Sequence, residues 1–419
     1  MTAPETAPVV VIGAGPAGLL AALAAARAGA TVIVLEQQSQ PGRKLLVTGG
    51  GRCNLTNTLP AADMLRRFGP AGRFMRAALG RLDPTALRRL LAELGLPTHA
   101  PDGFHVFPEA ESAQAVLDVL LRALERPGVE IRTGAPVRRL TRAGDQWQIT
   151  GDAGATLTAR AVLLATGGCS YPALGADGSG LELARALGHE IVPPAPALAP
   201  LVTAEAWPGT LAGISLPAVE LRIGSGRTGG TSWRGPLLFT HQGLSGAAAL
   251  DASGAVAALL AAGAGHVSIG LRLWPERGAA EWTDWLAAAR RQHGARKLCN
   301  LLALECPAAL AAALCEQAGI GADCAARIAR SQADRLRDLL TECRLTITGT
   351  GGWQKAMGTR GGVALGHVQP RTLASQLQPG LHFAGEILDV DGPCGGYNLQ
   401  WAFSSGWLAG NAMARPPAA

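Results

Sequence analysis

The chain has 419 residues, of which 48% are hydrophobic, and it is long enough for one large domain and one or two smaller ones. Its formal net charge of +6 suits anionic cofactors or substrates but does not by itself indicate nucleic-acid binding. The eight cysteines form no CxxC pair and no cluster with histidine, so the sequence argues against a metal site and a disulfide framework and predicts a cytoplasmic protein.

The first predicted element is a β-α-β unit built on a GxGxxG turn. A β-branched run leads into residues 13–18, an alanine-rich segment follows, and a second apolar run ends at Glu36. In such a unit the first glycine allows the turn, the second admits a pyrophosphate, and the third allows close helix packing. A carboxylate at Glu36 is expected to bind ribose hydroxyls, which argues against a 2′-phosphate.

The same apolar run leaves a second interpretation, because residues 8–26 carry no charge and could read as a membrane span or a signal peptide. No Lys or Arg precedes the run, Glu5 is acidic, and three glycines and a proline interrupt it. We therefore favour the nucleotide-binding unit and expect no membrane segment.

A second glycine-rich loop follows at residues 46–54, Leu-Val-Thr-Gly-Gly-Gly-Arg-Cys-Asn. Beyond it lies the most basic stretch of the chain, in which seven arginines between residues 66 and 89 face only Asp63, Asp83 and Glu93. We favour a solvated face of two helices for this arginine-rich segment, and a track for RNA phosphates is the alternative.

The middle of the chain predicts an amphipathic helix over 112–125, a strand over 129–133, and a buried strand over 159–164 that ends in small residues. Small residues there would let a cofactor pass at van der Waals distance. A second GxGxxG match at 224–229 precedes turn residues without helical periodicity, so residues 224–230 are predicted to form a hairpin loop.

The last predicted element covers residues 381–413. A short strand leads to Gly385-Glu386, and a loop then reaches Gly395-Gly396-Tyr397-Asn398 and a helix over 399–413. Backbone N–H groups at the start of this helix would stabilise negative charge by about 0.3–1 kcal/mol.

Five blocks together resemble the HI0933-like flavoproteins of the glutathione-reductase-like FAD superfamily. These blocks are residues 41–54, 170–175, 238–246, 360–363 and 384–401. The resemblance implies an α/β fold with a split Rossmann-like FAD-binding domain, at residues 1–193 and 341–419. It also implies an inserted β subdomain over 194–275 and a small helical cap over 276–340, with its clearest helices at 279–291 and 323–340.

The resemblance implies FAD as the cofactor, with Val137 near the adenine and the loop at 395–398 over the ring. The expected cofactor contacts are Gly13, Gly15, Pro16, Ala17, Gly18, Glu36, Gln37, Arg43, Lys44, Gly49, Gly50, Gly51, Arg52, Cys53, Asn54, Val137, Ala165, Thr166, Gly167, Gly362, Gly385, Glu386, Gly396, Tyr397 and Asn398.

Three residues are candidates for catalysis, namely His241, Arg52 and Tyr397. His241 reads equally well as a proton donor at the flavin or as a structural histidine. Arg52 suits a substrate carboxylate, a cofactor phosphate, or loop carbonyls. Cys53 and Cys394 could form a flavin-linked dithiol, although we favour small packing residues because their sequence spacing is unlike that of redox pairs.

The sequence thus predicts an FAD-dependent oxidoreductase that moves a hydride to or from flavin N5 on a small-molecule substrate. The chain has no second intact β-α-β fingerprint, so NAD(P)H is expected to bind transiently as a reductant or not at all. The alternative is a flavoprotein that binds or modifies RNA through the arginine-rich segment.

Overall fold

The computed structural model describes residues 7–224 and 230–415. The chain divides into two compact units, one made of Met1–Ala195 with Met357–Ala419 and the other of Pro196–Ala356. The first unit is therefore discontinuous in sequence, and the second is a single insertion into it.

The first unit is built around a five-stranded parallel sheet, whose central strands are apolar and buried on both faces. Its strand order is Leu381–Phe383, Ala161–Leu164, Val9–Ile12, Val32–Leu35 and Val129–Arg132. The helix Pro16–Arg27 packs closely against Tyr397–Ala414, because Gly406 and Gly410 bring the second helix to the backbone of the first. A Cβ at either glycine would lie 2.1 Å from a carbonyl oxygen, of Ala17 or Ala21 respectively.

Smaller sheets and helices surround this sheet. The additional strands are Val137–Ala143, Gln146–Gly151 and Thr156–Ala159 in one antiparallel sheet; Thr56–Asn57, His105–Pro108 and Thr98–His99 in another; and Ile191–Ala197 paired with Gly358–Val363. The remaining helices are Arg43–Leu46, Ala61–Arg66, Ala71–Leu79, Pro84–Glu93, Ala113–Leu124 and Ser179–Ala186. Short 3₁₀ turns lie at Thr48–Gly51, Asp152–Gly154, Pro172–Leu174, Leu365–His367 and Gly385–Ile387.

The membrane interpretation of residues 8–26 is wrong, since this run supplies the central strand Val9–Ile12 and the helix Pro16–Arg27. In the described ranges, no helix combines the length and apolarity needed to cross a bilayer.

The second unit contains a closed six-stranded barrel. Around the barrel the strands are Leu201–Thr203, Gly243–Ser245, Thr231–Thr240, Ser215–Ile223, Val267–Arg272 and Cys343–Thr350. Its helices are Ala247–Ala261, Ala279–His293, Leu298–Leu302, Ala308–Gln317, Arg330–Thr341 and Gly352–Lys355, with short 3₁₀ turns at Trp207–Leu211 and Ala325–Arg327. Barrel and helices share one apolar core.

The structure agrees with the predicted fold class, and several element bounds differ from the expectations. We expected the chain to return to the FAD domain at residue 341, but Cys343–Thr350 closes the barrel against Leu201–Thr203 and the return comes at Met357. The helix expected over 323–340 begins at Arg330, where Gln332 accepts from the backbone N–H of Ala329. The helix Ala247–Ala261 was not predicted, because its alanine-rich and largely apolar sequence has little periodicity.

Two further sequence expectations concern turns and surface helices. The strands Ser215–Ile223 and Thr231–Thr240 pair antiparallel, and residues 225–229 of the hairpin loop predicted over 224–230 lie outside the described residues. The arginine-rich segment forms three short helices rather than two, Ala61–Arg66, Ala71–Leu79 and Pro84–Glu93.

Candidate flavin-binding site

The turn at residues 13–18, here the first glycine turn, connects the central strand to the helix Pro16–Arg27. A Cβ at Gly13 would lie 2.5 Å from the Ala165 carbonyl oxygen, and one at Gly18 would lie 1.9 Å from the Gly13 carbonyl oxygen. At Gly15, by contrast, no described atom lies within 4 Å of the Cβ position. Gly13 and Gly18 thus serve close packing, while Gly15 keeps an open face at the helix N-terminus that suits a pyrophosphate.

Glu36 is buried at the end of the second strand and holds this turn in place. Its two carboxylate oxygens accept from the backbone N–H groups of Ala14 (2.8 Å) and Gln38 (2.9 Å). A carboxylate offers about four acceptor sites, so two remain for ribose hydroxyls.

A small cavity opens at the carboxyl ends of the parallel strands. It is lined by Gly13, Glu36, Gln37, Val137, Thr166 and Ser179, among others. Five of these six residues, all except Ser179, were expected from the sequence to contact FAD. Gln37 donates to the Gly175 carbonyl at 2.7 Å and thereby closes one wall. Glu36 thus lines the crevice together with Gly13, and the open Gly15 follows two residues later on the same turn. An acid beside such a turn fits the ribose and diphosphate of FAD.

The loop at residues 48–54, here the second glycine loop, has a left-handed backbone. Gly49, Gly50 and Gly51 have φ angles of 56°, 68° and 86°, and Cys53 has φ 63° without being a glycine. Cys53 is completely buried, and burial raises the pKa of its thiol to about 12. A protonated, enclosed thiol does not act in thiol exchange, which supports packing over the dithiol.

The second glycine loop and the strand after it contact the C-terminal loop, residues 392–398. Asn57 Nδ2 donates to the Gly395 carbonyl at 2.8 Å. The Asn54 amide bridges the two segments when its nitrogen faces the Thr56 carbonyl (2.9 Å) and its oxygen faces the Gly396 N–H (3.2 Å). A Cβ at Gly396 would lie 2.5 Å from the Thr56 backbone. Two motifs far apart in sequence thus form one wall.

The helix Tyr397–Ala414 begins at this wall, two residues earlier than expected. Tyr397 and Asn398 therefore lie in its first turn. Tyr397 is buried, with ring centroids 5.9 Å from Phe68 and 6.5 Å from Phe104. Asn398 accepts from the Gly392 N–H at 2.8 Å and donates to the Gly392 carbonyl at 2.9 Å, so its amide fixes the loop.

Lys44 and Glu386 form a half-buried ion pair with Ser170. The Lys44 ammonium contacts a Glu386 oxygen at 2.5 Å and the Ser170 hydroxyl, and that hydroxyl donates to Glu386 at 2.8 Å. Arg43 donates to Gln38. Arg43 and Lys44, both expected cofactor contacts, therefore have protein partners.

Several other expected contacts lie within the parallel-sheet unit. Gly385 approaches Ala17, where its Cβ would lie 2.9 Å from that residue's Cβ, and Trp401 donates to its carbonyl at 3.1 Å. Thr166 and Gly167 continue from Ala165, which borders the first glycine turn. Gly362 is tightly packed, since its Cβ would meet the Ile387 carbonyl oxygen at 2.5 Å.

Arg52 lies on the outer side of the second glycine loop, with 54% of its side chain exposed. Its guanidinium is 4.6 Å from the Phe107 ring centroid and 3.3 Å from a Glu111 oxygen. Glu111 also pairs with His99 Nε2 at 2.6 Å. Arg52 is thus accessible to a ligand but has two protein partners.

His241 belongs to the barrel unit. It lies exposed in the tight turn between Thr231–Thr240 and Gly243–Ser245, and its carbonyl oxygen would be 2.8 Å from a Cβ at Gly209. The first and second glycine-rich motifs belong to the other unit, and the role of His241 stays a prediction.

Sequence reasoning missed two features of the parallel-sheet unit. Asp102 and His105 form a pair beside Gly395. The sequence signal for this pair was an aspartate and a histidine three residues apart with Gly103 between them. A cavity lined by Arg67, Phe68, Arg360, Leu365, Asp389 and Asp391 also adjoins the C-terminal loop.

Throughout the described residues, no group of three His, Cys, Asp or Glu side chains is placed to hold a metal.

Comparison with known proteins identifies the family. The family model described as HI0933-like protein Rossmann domain matches residues 7–412. The chain is 35% identical to the 3-dehydro-bile acid delta(4,6)-reductase of Clostridium scindens, over 97% of this chain and 99% of the relative. It is 32% identical to the ribosomal RNA dihydrouridine synthase of Escherichia coli, over 95% of this chain and 96% of the relative.

Solved structures match the fold at lower identity. The 3-ketosteroid delta1-dehydrogenase from Sterolibacterium denitrificans aligns with a TM-score of 0.52 and 15% identity, over 98% of this chain and 100% of that one. At this identity the likeness concerns the fold alone. The family match covers nearly the whole chain, so the chain belongs to the HI0933-like family of FAD-dependent oxidoreductases.

Proposed function

We propose that the protein is an FAD-dependent reductase that adds a hydride and a proton across an activated carbon–carbon double bond of a small molecule, with NAD(P)H as the reductant. The names of two full-length relatives support this reaction. A delta(4,6)-reductase removes ring double bonds, and a dihydrouridine synthase saturates the double bond of a uracil ring. The substrates differ, but both products gain two hydrogens on adjacent carbons.

The observation that carries the proposal is the wall formed by the second glycine loop and the C-terminal loop. When bound, FAD supplies a hydride donor and acceptor at N5. In this chain, Gly15 and Glu36 are placed to bind the dinucleotide half. The N-terminus of Tyr397–Ala414 is placed to stabilise negative charge on a reduced ring, by about 0.3–1 kcal/mol and up to ~2 when partly buried.

The cavity beside the C-terminal loop is the best candidate for the substrate site. Phe68 and Leu365 give it apolar surface, while Arg67 and Arg360 provide cations near Asp389 and Asp391. Arg360 contacts Asp391 at 3.2 Å, so part of its charge is already neutralised. An apolar pocket with a few charged groups suits a small organic substrate that has a polar substituent.

The test is an anaerobic reduction of the FAD-loaded protein. We expect NADH or NADPH to bleach the flavin band near ~450 nm and an added enone, 2-cyclohexen-1-one, to restore it. The proposal would be overturned if neither nicotinamide bleaches the flavin, or if the reduced protein reacts with oxygen but with no enone or uracil acceptor. The expected cytoplasmic location is a further part of the proposal, and the cysteine pattern of the sequence, which has no CxxC pair, supports it.

A second candidate is reduction of a base within RNA, and the arginine-rich segment favours it. Its helices turn apolar side chains inward, for example Phe74, whose ring centroid lies 6.3 Å from that of Trp401. Six of its seven arginines are exposed: Arg66, Arg67, Arg73, Arg76, Arg81 and Arg89. Arg67 lines the cavity next to the C-terminal loop, and Arg81 lines another that contains Arg142, Arg160 and Arg371. Arginines of this segment therefore line two cavities of one unit, and the second cavity is rich in arginine.

Salt-dependent binding separates the two candidates. If RNA is the substrate, the triple variant Arg73→Gln, Arg76→Gln, Arg81→Gln should weaken binding of a ribosomal RNA transcript. The slope of the logarithm of the binding constant against the logarithm of the salt concentration should fall by the amount expected for about three lost phosphate contacts. The matched control is Arg291→Gln, Arg327→Gln, Arg330→Gln, which removes three exposed arginines from the barrel unit. Equal RNA affinity for both triple variants and the unmodified protein would exclude the arginine-rich segment as an RNA-binding surface.

A further inference from the structure

We propose that His105 is the proton donor of this reductase and that Asp102 is its positioning residue. The inference rests on the proposed reduction of a double bond, which needs a proton as well as a hydride. His241, the donor candidate from sequence, lies in the other unit, whereas His105 lies beside the C-terminal loop.

Asp102 fixes the orientation of the His105 ring. One of its carboxylate oxygens accepts from the backbone N–H groups of Phe104 (2.9 Å) and His105 (2.8 Å). The other contacts His105 Nδ1 at 2.5 Å. Its hydrogen bond with His105 holds the pKa of the Asp102 carboxyl well below its usual range. Asp102 is therefore ionised at neutral pH, and Nδ1 carries the proton that it accepts.

With Nδ1 held by Asp102, the second ring nitrogen is directed at the C-terminal loop. A Cβ at Gly395 would lie 3.6 Å from His105 Nε2, 3.4 Å from Tyr397 Cε2 and 3.1 Å from Phe104 Cε1. The imidazole and Tyr397 therefore both pack against Gly395, and Tyr397 in turn packs against Phe68 of the proposed substrate cavity. About 39% of the His105 side chain is exposed, so Nε2 is accessible to a ligand and to solvent protons.

The backbone around His105 is rigidly attached to the same loop. His105 begins the strand His105–Pro108 and pairs with Asn57, and Asn57 donates to the Gly395 carbonyl at 2.8 Å. The ring also packs edge-on against Phe104, with centroids 4.9 Å apart. A donor fixed on a strand holds its geometry better than one on a free loop.

The chemistry balances with groups that the proposal names. NAD(P)H supplies two electrons through the bound FAD, and a hydride adds to one carbon of the activated double bond. The proton on His105 Nε2 passes to the adjacent carbon, which leaves a neutral imidazole that solvent reprotonates. The Asp102 carboxylate, about half exposed, contacts Nδ1 and keeps the ring oriented for the transfer. Asp102 on its own turn and Tyr397 on the facing loop are titratable groups near the ring.

The kinetic test uses His105→Gln with His266→Gln as control, since His266 is exposed in the barrel unit. In His105→Gln, we expect NAD(P)H to bleach the flavin at the unmodified rate and 2-cyclohexen-1-one to reoxidise it about 10²–10⁴-fold more slowly. His266→Gln should match the unmodified protein in both steps. Equal reoxidation rates in all three proteins would overturn the role of His105. Failure of flavin reduction in the unmodified protein would instead overturn the proposed function.

A spectroscopic test does not depend on turnover. Imidazole ¹⁵N spectra of the apo protein should show His105 protonated at Nδ1, and Asp102→Asn should shift the ring toward the other tautomer. FAD should then perturb the His105 signals and leave those of His266 unchanged. As a single substitution, Asp102→Asn should slow flavin reoxidation. Combined with His105→Gln, it should slow reoxidation no further than His105→Gln alone. Unchanged His105 signals on FAD binding, or additive effects of the two substitutions, would contradict the proposal.

Discussion

The two glycine-rich regions of the parallel-sheet unit are built in different ways. In the first glycine turn, each glycine has a local role, because Gly13 and Gly18 pack against neighbouring backbone and Gly15 stays open. At the other region, the second glycine loop gains its shape from a distant partner, the C-terminal loop, through Asn57 and Gly396. A local motif can be interpreted from its residue spacing alone. The composite wall, by contrast, consists of two segments far apart in sequence, and it is identified only once the fold shows that they are in contact.

The largest expected effect is a difference between two substitutions in the first glycine turn, one at a glycine that packs and one at the glycine with the open face. Gly18→Ala should destabilise the protein by about 3 kcal/mol or abolish folding, since its Cβ would overlap the Gly13 carbonyl. Gly15→Ala should change the free energy of unfolding by less than about 1 kcal/mol but lose FAD affinity, because the methyl group fills the open face. Urea unfolding of the apo proteins and FAD fluorescence titration measure both. Equal destabilisation by the two substitutions would contradict the division of roles.

The pH dependence of unfolding tests a part of the unit away from both glycine regions. Burial lowers the pKa of His189 and of His382 to about 4, and His189 pairs with Ser375 at 2.9 Å. Both rings are neutral in the folded state, so the unfolded chain binds more protons below about pH 6.5. Stability should be fully present above pH 6.5 and fall by up to roughly 3 kcal/mol per histidine as the pH drops toward 4.

Denaturant unfolding between pH 7 and pH 4.5 checks this prediction. His189→Gln should flatten the pH dependence, and His293→Gln, at an exposed histidine in the other unit, should leave it unchanged. A steep loss of stability that persists in His189→Gln and in His382→Gln would assign it to other groups.

A smaller effect is expected where the composite wall is held by one buried amide. Asn57 is completely buried, donates to Gly395 and accepts from the Leu59 N–H at 3.1 Å. Asn57→Ala leaves the Gly395 carbonyl without its partner, which should cost about 1–3 kcal/mol and weaken FAD binding. Asn300→Ala, at an exposed asparagine of the barrel unit, is the control. If FAD affinity survives Asn57→Ala unchanged, the wall does not position the cofactor.

The smallest effect is expected at Cys53. Cys53→Ala should cost less than about 1.5 kcal/mol and leave flavin reduction by NAD(P)H unchanged, because the thiol is buried and protonated. Labelling of the native protein with a thiol reagent should spare Cys53. Loss of flavin reduction in Cys53→Ala would restore the dithiol interpretation.

The sequence predicted the parallel-sheet unit well and the inserted unit only in outline. The strand before Gly13, the acid at Glu36 and the helix after Ser112 all have strong local patterns, and the structure has each of them. The closing barrel strand Cys343–Thr350 was not assigned to the barrel, because strand partners are chosen by long-range pairing that no local period encodes. The helix Ala247–Ala261 lacked an amphipathic pattern for a related reason, since much of it is buried.

The candidate site follows the same rule. Glycines and the acid of the first glycine turn were recognisable from spacing, but the Asp102–His105 pair depends on a turn that orients a side chain toward Gly395. Arg67 was recognised only as part of a basic stretch, and its place beside Arg360 required the fold.

The most direct test of the central claim is a titration of the apo protein with FAD, followed by flavin fluorescence and absorbance. We predict one FAD per chain, much weaker binding of FMN, which lacks the adenosine half bound near Glu36, and loss of FAD binding in Gly15→Ala with the fold retained. Failure of the folded protein to bind FAD, or equal binding of FAD and FMN, would contradict the account.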